Sequence, residues 1–315
     1  LKAIRTTAAV TAILVYALIV LGALVRTTDS GLSCPDWPTC YGHWVPLPAD
    51  VAAVPNIGYT YTQVMLEWVH RLIAGVFVGP LVLALAVLTY LHRRQRPDLA
   101  VAGGALLVLL LIQGALGGLT VLDRNSPWSV AIHLGNALLV LSVTLRVLTG
   151  AAGWAGERAT RPLLAPAAVG WCLALLAMMS AAMTAKSGAS LACATWPSCN
   201  GALVPDLGDY YVRIHFTHRV LAALTGATLI FLFWRSRSVP QPVRRLVTLA
   251  TGLVLLQIGL GALVILLEVP IWKAVLHQAV GVLTFATLTL ILWRCVPPLR
   301  RREVGGPDGL ALRGA

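Results

Sequence analysis

Long apolar stretches separated by brief polar segments set the pattern of the chain. Eight of them can be placed, near residues 5–25, 62–91, 100–121, 129–150, 163–185, 211–234, 245–267 and 273–295. A hydrocarbon core of about 30 Å is crossed by about 20 helical residues, so each stretch predicts one spanning α-helix. The fold class is therefore an all-α polytopic membrane protein with eight transmembrane helices. Most connections are short, which predicts antiparallel packing of neighbours. The first stretch follows Lys2 and Arg5 and could pass for a signal peptide. Its match to the fifth stretch predicts that it is retained.

Composition agrees with that pattern: 58% of the 315 residues are hydrophobic and only 11% are charged. The formal net charge of +12 raises the question of a nucleic-acid partner. Its distribution answers it. With the N-terminus placed inside, most of the 24 Lys and Arg fall at inner ends, in Lys2, Arg5, the "HRRQR" loop at 92–96, Arg158, Arg161, Arg235, Arg237, Arg244, Arg245 and the basic tail. The outer side holds Arg26, Arg124, Lys186, Arg213 and Lys273, while Arg71 and Arg219 fall within helices. That asymmetry orients a protein in a cell membrane; it predicts cytoplasmic termini, with no nucleic-acid partner and membrane lipid as the surroundings.

The chain also repeats itself. "SCPDWPTCYG" at 33–42 returns as "ACATWPSCNG" at 192–201, and "WVHRLIAG" at 68–75 as "FTHRVLAA" at 216–223. "LLIQGALGGLTVL" at 110–122 matches "LLQIGLGALVIL" at 255–266, and "VAIHLGNALLVL" at 130–141 matches "AVLHQAVGVLTF" at 274–285. Gln113 precedes His133 by 20 residues, and Gln257 precedes His277 by the same 20. Two four-helix units follow, 1–152 and 163–297, joined by a cytoplasmic linker at 153–162. An even helix number makes them a parallel repeat. The Gly-rich tail at 298–315 is expected to be disordered.

His70, His133, His218 and His277 fall on the second and fourth helix of each unit. Counted from the expected helix starts, each lies roughly 8–14 Å along its helix, which puts all four in the outer leaflet. A polar group at that depth needs an interior position and a partner. Two imidazoles from facing helices of a four-helix bundle suit the axial positions of a porphyrin iron, so the doubled pattern predicts two haem sites. His215, three residues before His218, shares its face and is either the ligand itself or a second group behind it. His43 and His92 lie in loops and read as solvated. Glu67 stands one turn before His70 where the second unit carries His215. It reads as a proton-handling carboxylate, or else as a water-exposed helix-end group or a partner for Arg71. Arg71 and Arg219 read as propionate partners or as snorkelling side chains.

Both cysteine loops face outward, where a disulfide persists. Cys34–Cys40 and Cys193–Cys199 are the simplest pairings, as structural bridges or as redox-active thiols. Cys172 and Cys295 read as buried, inert thiols within helices. Neither loop supplies four zinc ligands, and the Cys-x-x-Cys-His pattern of covalent haem attachment is absent.

"SGLSCPDWPTCYG" at 30–42, "EWVHR" at 67–71, "AIHLGNA" at 131–137, "THR" at 217–219 and "LHQAVG" at 276–281, in that order on eight helices, give the chain its resemblance to the haem A synthase family. The resemblance covers nearly the whole length. It implies an oxidoreductase that converts haem O to haem A by oxidising a porphyrin methyl to a formyl group through successive hydroxylations, for terminal oxidases. It further implies that His70 and His133 flank the iron of the substrate haem O, that His218 and His277 hold haem b, and that Glu67 is the acid/base. Cys34–Cys40 would be the loop disulfide; the second pair, Cys193–Cys199, departs from the simplest family pattern. The partners implied are haem O, delivered by a haem O synthase, and an electron acceptor that the sequence does not identify. The residues alone also admit a bis-His di-haem electron-transfer cytochrome, a membrane thiol–disulfide oxidoreductase or a transporter.

Overall fold

The computed structural model describes residues 1–154, 156 and 158–297; the tail expected to be disordered lies outside them. Among these residues, eight helices are long and apolar enough to span a membrane. They are α1 (Lys2–Thr27), α2 (Tyr61–Leu91), α3 (Pro97–Leu122), α4 (Pro127–Ala151), α5 (Leu164–Lys186), α6 (Tyr210–Arg235), α7 (Gln241–Leu266) and α8 (Ile271–Cys295).

Local chemistry fixes where several begin. Thr60 and Gln63 form a reciprocal cap at the start of α2. Ser126 accepts from Ser129 N ahead of α4, and Asp209 from Val212 N ahead of α6. Proline occupies the first turn of α3, α4 and α7, where its missing N–H costs nothing. α2 is the irregular one. A π-helical turn spans Ile73–Val78, directly after His70 and Arg71, and Gly79 N bonds back to Ala74 O. Pro80 follows and has no N–H to continue the regular ladder, which accounts for the widened turn. The matching stretch of α6 is plain α-helix.

α1 contacts α2, α2 contacts α3, α3 contacts α4, and α4 returns to α1. α5 to α8 close a ring by the same sequence of neighbours. Where the rings meet, α4 packs on α5 and α8, and α1 on α8. α4 and α8 are therefore the central helices: 61% and 56% of their spanning windows are buried, against 17–33% for the other six. Several of their hydroxyl residues bond to carbonyls one turn back, as Thr144 does to Val140 and Thr289 to Phe285, which satisfies those groups within the helix. Leu138, Leu141, Phe285, Leu288 and Ile291 form the shared apolar core, and Trp293 Nε1 donates to Ser142 O across it at 2.9 Å. Cys295 is buried, but Cys172 is exposed on α5, contrary to the expectation for it. An apolar neighbourhood in sequence does not distinguish the core face of a spanning helix from its lipid face.

Candidate haem sites beneath two disulfide loops

The two cysteine loops fold alike. Cys34 is bonded to Cys40 and Cys193 to Cys199, and all four are buried, which suits bridges better than thiols open to exchange. Each loop closes with a paired backbone contact, Cys40 with His43 and Cys199 with Ala202. Trp37 and Trp196 each precede a cis proline. Trp37 packs on Gly118 of α3, and Trp196 lines the cavity of the second bundle, so each loop roofs its own bundle.

What holds the roofs down was not legible from spacing. Arg71 Nη1 donates to Asp36 O at 2.5 Å and Thr39 O at 2.8 Å, and its Nη2 to Cys34 O at 3.0 Å. Arg219 donates to Thr195 O, Ser198 O and Cys193 O at 2.7–2.9 Å. Neither guanidinium snorkels; both brace a loop. Glu67 and His215 are the matching struts. Glu67 Oε1 pairs with Arg71 at 2.6 Å, while its Oε2 accepts from Cys34 N at 2.9 Å and Ser33 Oγ at 3.0 Å. His215 lies 3.0 Å from Ala189 O and 3.3 Å from Cys193 N through Nδ1, and takes Arg219 Nε at 3.2 Å on Nε2. Both its nitrogens are engaged by the loop, the α5 end and Arg219.

The first loop carries an anion that the second lacks. Burial alone would raise the Asp36 carboxyl, but the Thr39 hydroxyl and the backbone N–H groups of Gly42 and Tyr41 outweigh it and hold the group below its ordinary 3.8. A carboxyl depressed by folding stabilises the loop fully above the usual carboxylate range and loses that effect as pH falls through the folded value. Hydrogen exchange at Tyr41 and Gly42, corrected for its intrinsic rate, is therefore expected to stay slow at neutral pH and accelerate below about pH 4. Gly201 N, which bonds the neutral Thr195 Oγ1 at 3.2 Å, is expected to show no such change. Equal acid sensitivity at both glycines would remove Asp36 from the explanation.

Below the loops lie the four histidines. The rings of His70 and His133 are close enough to interact electrostatically, as are those of His218 and His277. His218 Nδ1 lies 3.1 Å from both Ala177 O and Ser180 Oγ. A carbonyl there requires Nδ1–H as donor, which leaves the Nε2 lone pair free. Gln257 Nε2 is 3.2 Å from His277 Nε2, and Gln113 Nε2 is 3.3 Å from His133 Nε2, so the glutamines spaced 20 residues ahead do meet those rings. Gln113 is itself held by Asn136 Nδ2 at 2.7 Å. Close backbone approach makes room for the rings: a Cβ at Gly261 would sit 3.1 Å from His277 Cε1, and one at Gly22 3.2 Å from His70 Cε1. His43 is open to solvent and 3.7 Å from Asp50, whereas His92 is half-buried and bonds Leu88 O through Nδ1 at 2.8 Å.

His218 and His277 line one cavity of about 860 Å³ between α5, α6, α7 and α8. That is within the 300–1,000 Å³ range of cofactor pockets. The residues fit a porphyrin iron by a second observation. His70 Nδ1 and His277 Nδ1 are buried with no hydrogen-bond partner, so two of the four imidazoles are not explained as satisfied core histidines. Glycine and alanine at the walls, including Ala174, Ala177 and Gly261, leave space for a flat ligand. Among the described residues, no cluster of three or more His, Cys, Asp or Glu side chains forms a separate metal site.

Fold and site together define a polytopic membrane protein with paired imidazoles inside two loop-capped helical bundles. Residues 5–289 match the family model described as "Cytochrome oxidase assembly protein". The chain is 31% identical to "Heme A synthase" of Shewanella oneidensis over 90% of its length and 95% of that protein. It is 31% identical to the protein of the same name from Caulobacter sp. strain K31, over 92% and 95%, and 28% identical to that of Shouchella clausii, over 83% and 85%. The chain belongs to the haem A synthase family of cytochrome oxidase assembly proteins.

Proposed function

We propose that the protein oxidises a methyl group of haem O to a formyl group by successive hydroxylations, supplying haem A for terminal oxidase assembly. The observation that carries the reading is the doubled imidazole pair beneath matching disulfide loops, in a chain that matches proteins named for that product over 83–92% of its length. The protein works in the cell membrane, with both termini cytoplasmic and the cysteine loops outside. Residues 1–152 form the unit that takes haem O, residues 163–297 the unit that holds haem b, and 153–162 the linker.

His70 and His133 flank the iron of the substrate haem, and His218 and His277 hold the iron of haem b. Three asymmetries support this division. The carboxylate Glu67 exists only in the first unit, the widened turn of α2 follows only His70, and Ala177 O and Ser180 set the tautomer of His218 in the second. Haem b, when bound, supplies one-electron exchange. Ser33 Oγ, Cys34 N and Arg71 contact the Glu67 carboxyl group on three sides. A carboxylate accepts about four, so one position on Glu67 remains to take a proton from the substrate side. Arg71 and the disulfide keep the loop over the site and exclude water.

Haem extraction from cells that make haem O, lack their own haem A synthase and express this protein is the direct test. Haem A is expected in the extract; accumulation of haem O alone, with the protein present in the membrane, would overturn the reading.

A further inference from the structure

The cavity of the second bundle is lined by a cation that belongs to the first. Arg26, in the last turn of α1, lines it together with His218 and His277. Its Nη2 donates to Gln278 Oε1 at 2.9 Å, and Gln278 Nε2 donates to Ile19 O at 3.4 Å. The residue next to His277 thus ties the guanidinium to the cavity wall. Asp29 lines the same cavity but is exposed and forms no ion pair with Arg26; the ion pairs of the described residues involve His43, Arg71, Arg96 and Arg146.

A guanidinium keeps its charge under all ordinary conditions, and a charge in an apolar bundle needs a counter-ion. The other cations on the cavity wall are differently placed. Arg219 has committed Nε, Nη1 and Nη2 to His215 and the loop carbonyls. Lys186 contributes a compact point charge without the planar fork that matches a carboxylate. Arg26 combines a fork and a fixed position with N–H groups that neither a loop carbonyl nor a carboxylate of the protein takes up.

We propose that Arg26 anchors a propionate carboxylate of the porphyrin held by His218 and His277, so that the second site is completed by a residue of the first bundle. The assignment rests on the haem b reading of that cavity. The packing of α1 on α8 then belongs to the binding site as well as to the fold.

The test is a Soret titration of full-length protein, purified from haem-starved cells, with ferric protohaem and with its dimethyl ester, which lacks the carboxylates. Wild type is expected to bind protohaem roughly tenfold or more tightly than the ester, as the loss of a charge-assisted hydrogen bond implies. In Arg26→Leu the two ligands are expected to bind alike, and Arg26→Lys is expected to keep part of the preference. Wild type that binds neither ligand would overturn the haem reading itself. Wild type that binds both equally, or Arg26→Leu that retains the full preference, overturns the Arg26 assignment and leaves the haem reading standing. Should Arg26→Leu fail to fold, Gln278→Leu, which releases the guanidinium but keeps it, must narrow the preference; an unchanged preference there overturns the assignment equally.

Discussion

Glu67→Gln is expected to lower haem A formation by about 10²–10⁴-fold, the range supplied by a positioned acid or base, while both haem sites stay filled. The amide keeps the size of the carboxyl group and an oxygen for Ser33 and Cys34 N; it gives up the ion pair with Arg71, whose bonds to three loop carbonyls still seat the loop. Alanine is a poorer probe. The Glu67 and Arg71 side chains are only 6% and 14% exposed, and removing one member of a buried pair costs about 3–5 kcal/mol. Glu67→Ala would therefore also loosen the Cys34–Cys40 loop. The measurement is the haem A to haem O ratio in membranes carrying each variant, with proteolysis of the loop as a check on its seating. A Gln variant with wild-type output and an Ala variant with a labile loop would make Glu67 a brace and nothing more, the part His215 plays in the second unit.

His277→Ala is expected to carry the second large effect, the loss of haem from the cavity of the second bundle. Substitutions of groups behind a metal ligand cost about 10–100-fold in affinity, and removal of the ligand itself is expected to exceed that. Gln257→Leu, which removes the amide 3.2 Å from the ring, should fall within the 10–100-fold range. Gly261→Ala should resemble it, because its Cβ would meet Cε1 at 3.1 Å and turn the imidazole. Haem b content of each purified variant, read as the reduced pyridine haemochrome, checks the order. Wild-type content in His277→Ala would remove that residue from the site.

Much of this arrangement can be read from the chain before any folding is considered. The eight spans and the paired cysteines follow from hydropathy and spacing. Gln113 and Gln257 are legible too, because a fixed separation of 20 residues places one helix against the next. Other features depend on what a folded loop brings opposite a helix. The position of Arg71 and Arg219 on their helices gives a face, but not the three loop carbonyls that occupy it. Glu67 and His215 look unrelated as residue types, yet both meet the backbone N–H of the first loop cysteine. Arg26 reads as an outer-side charge and proves to line the cavity of the other bundle, since nothing local records the packing of α1 on α8. The widened turn of α2 did have a signal, Gly79-Pro80 inside an apolar span. Ser180 had none, for a lone serine within an apolar helix announces no partner.

Low-temperature electron paramagnetic resonance of the purified ferric protein tests the imidazole pairing most directly. The account predicts a low-spin signal of bis-imidazole character from the second bundle that disappears in His218→Ala and His277→Ala and survives in His215→Ala, separate from any signal of haem held by His70 and His133. A protein without any haem signal, or a signal indifferent to His218 and His277, would contradict it.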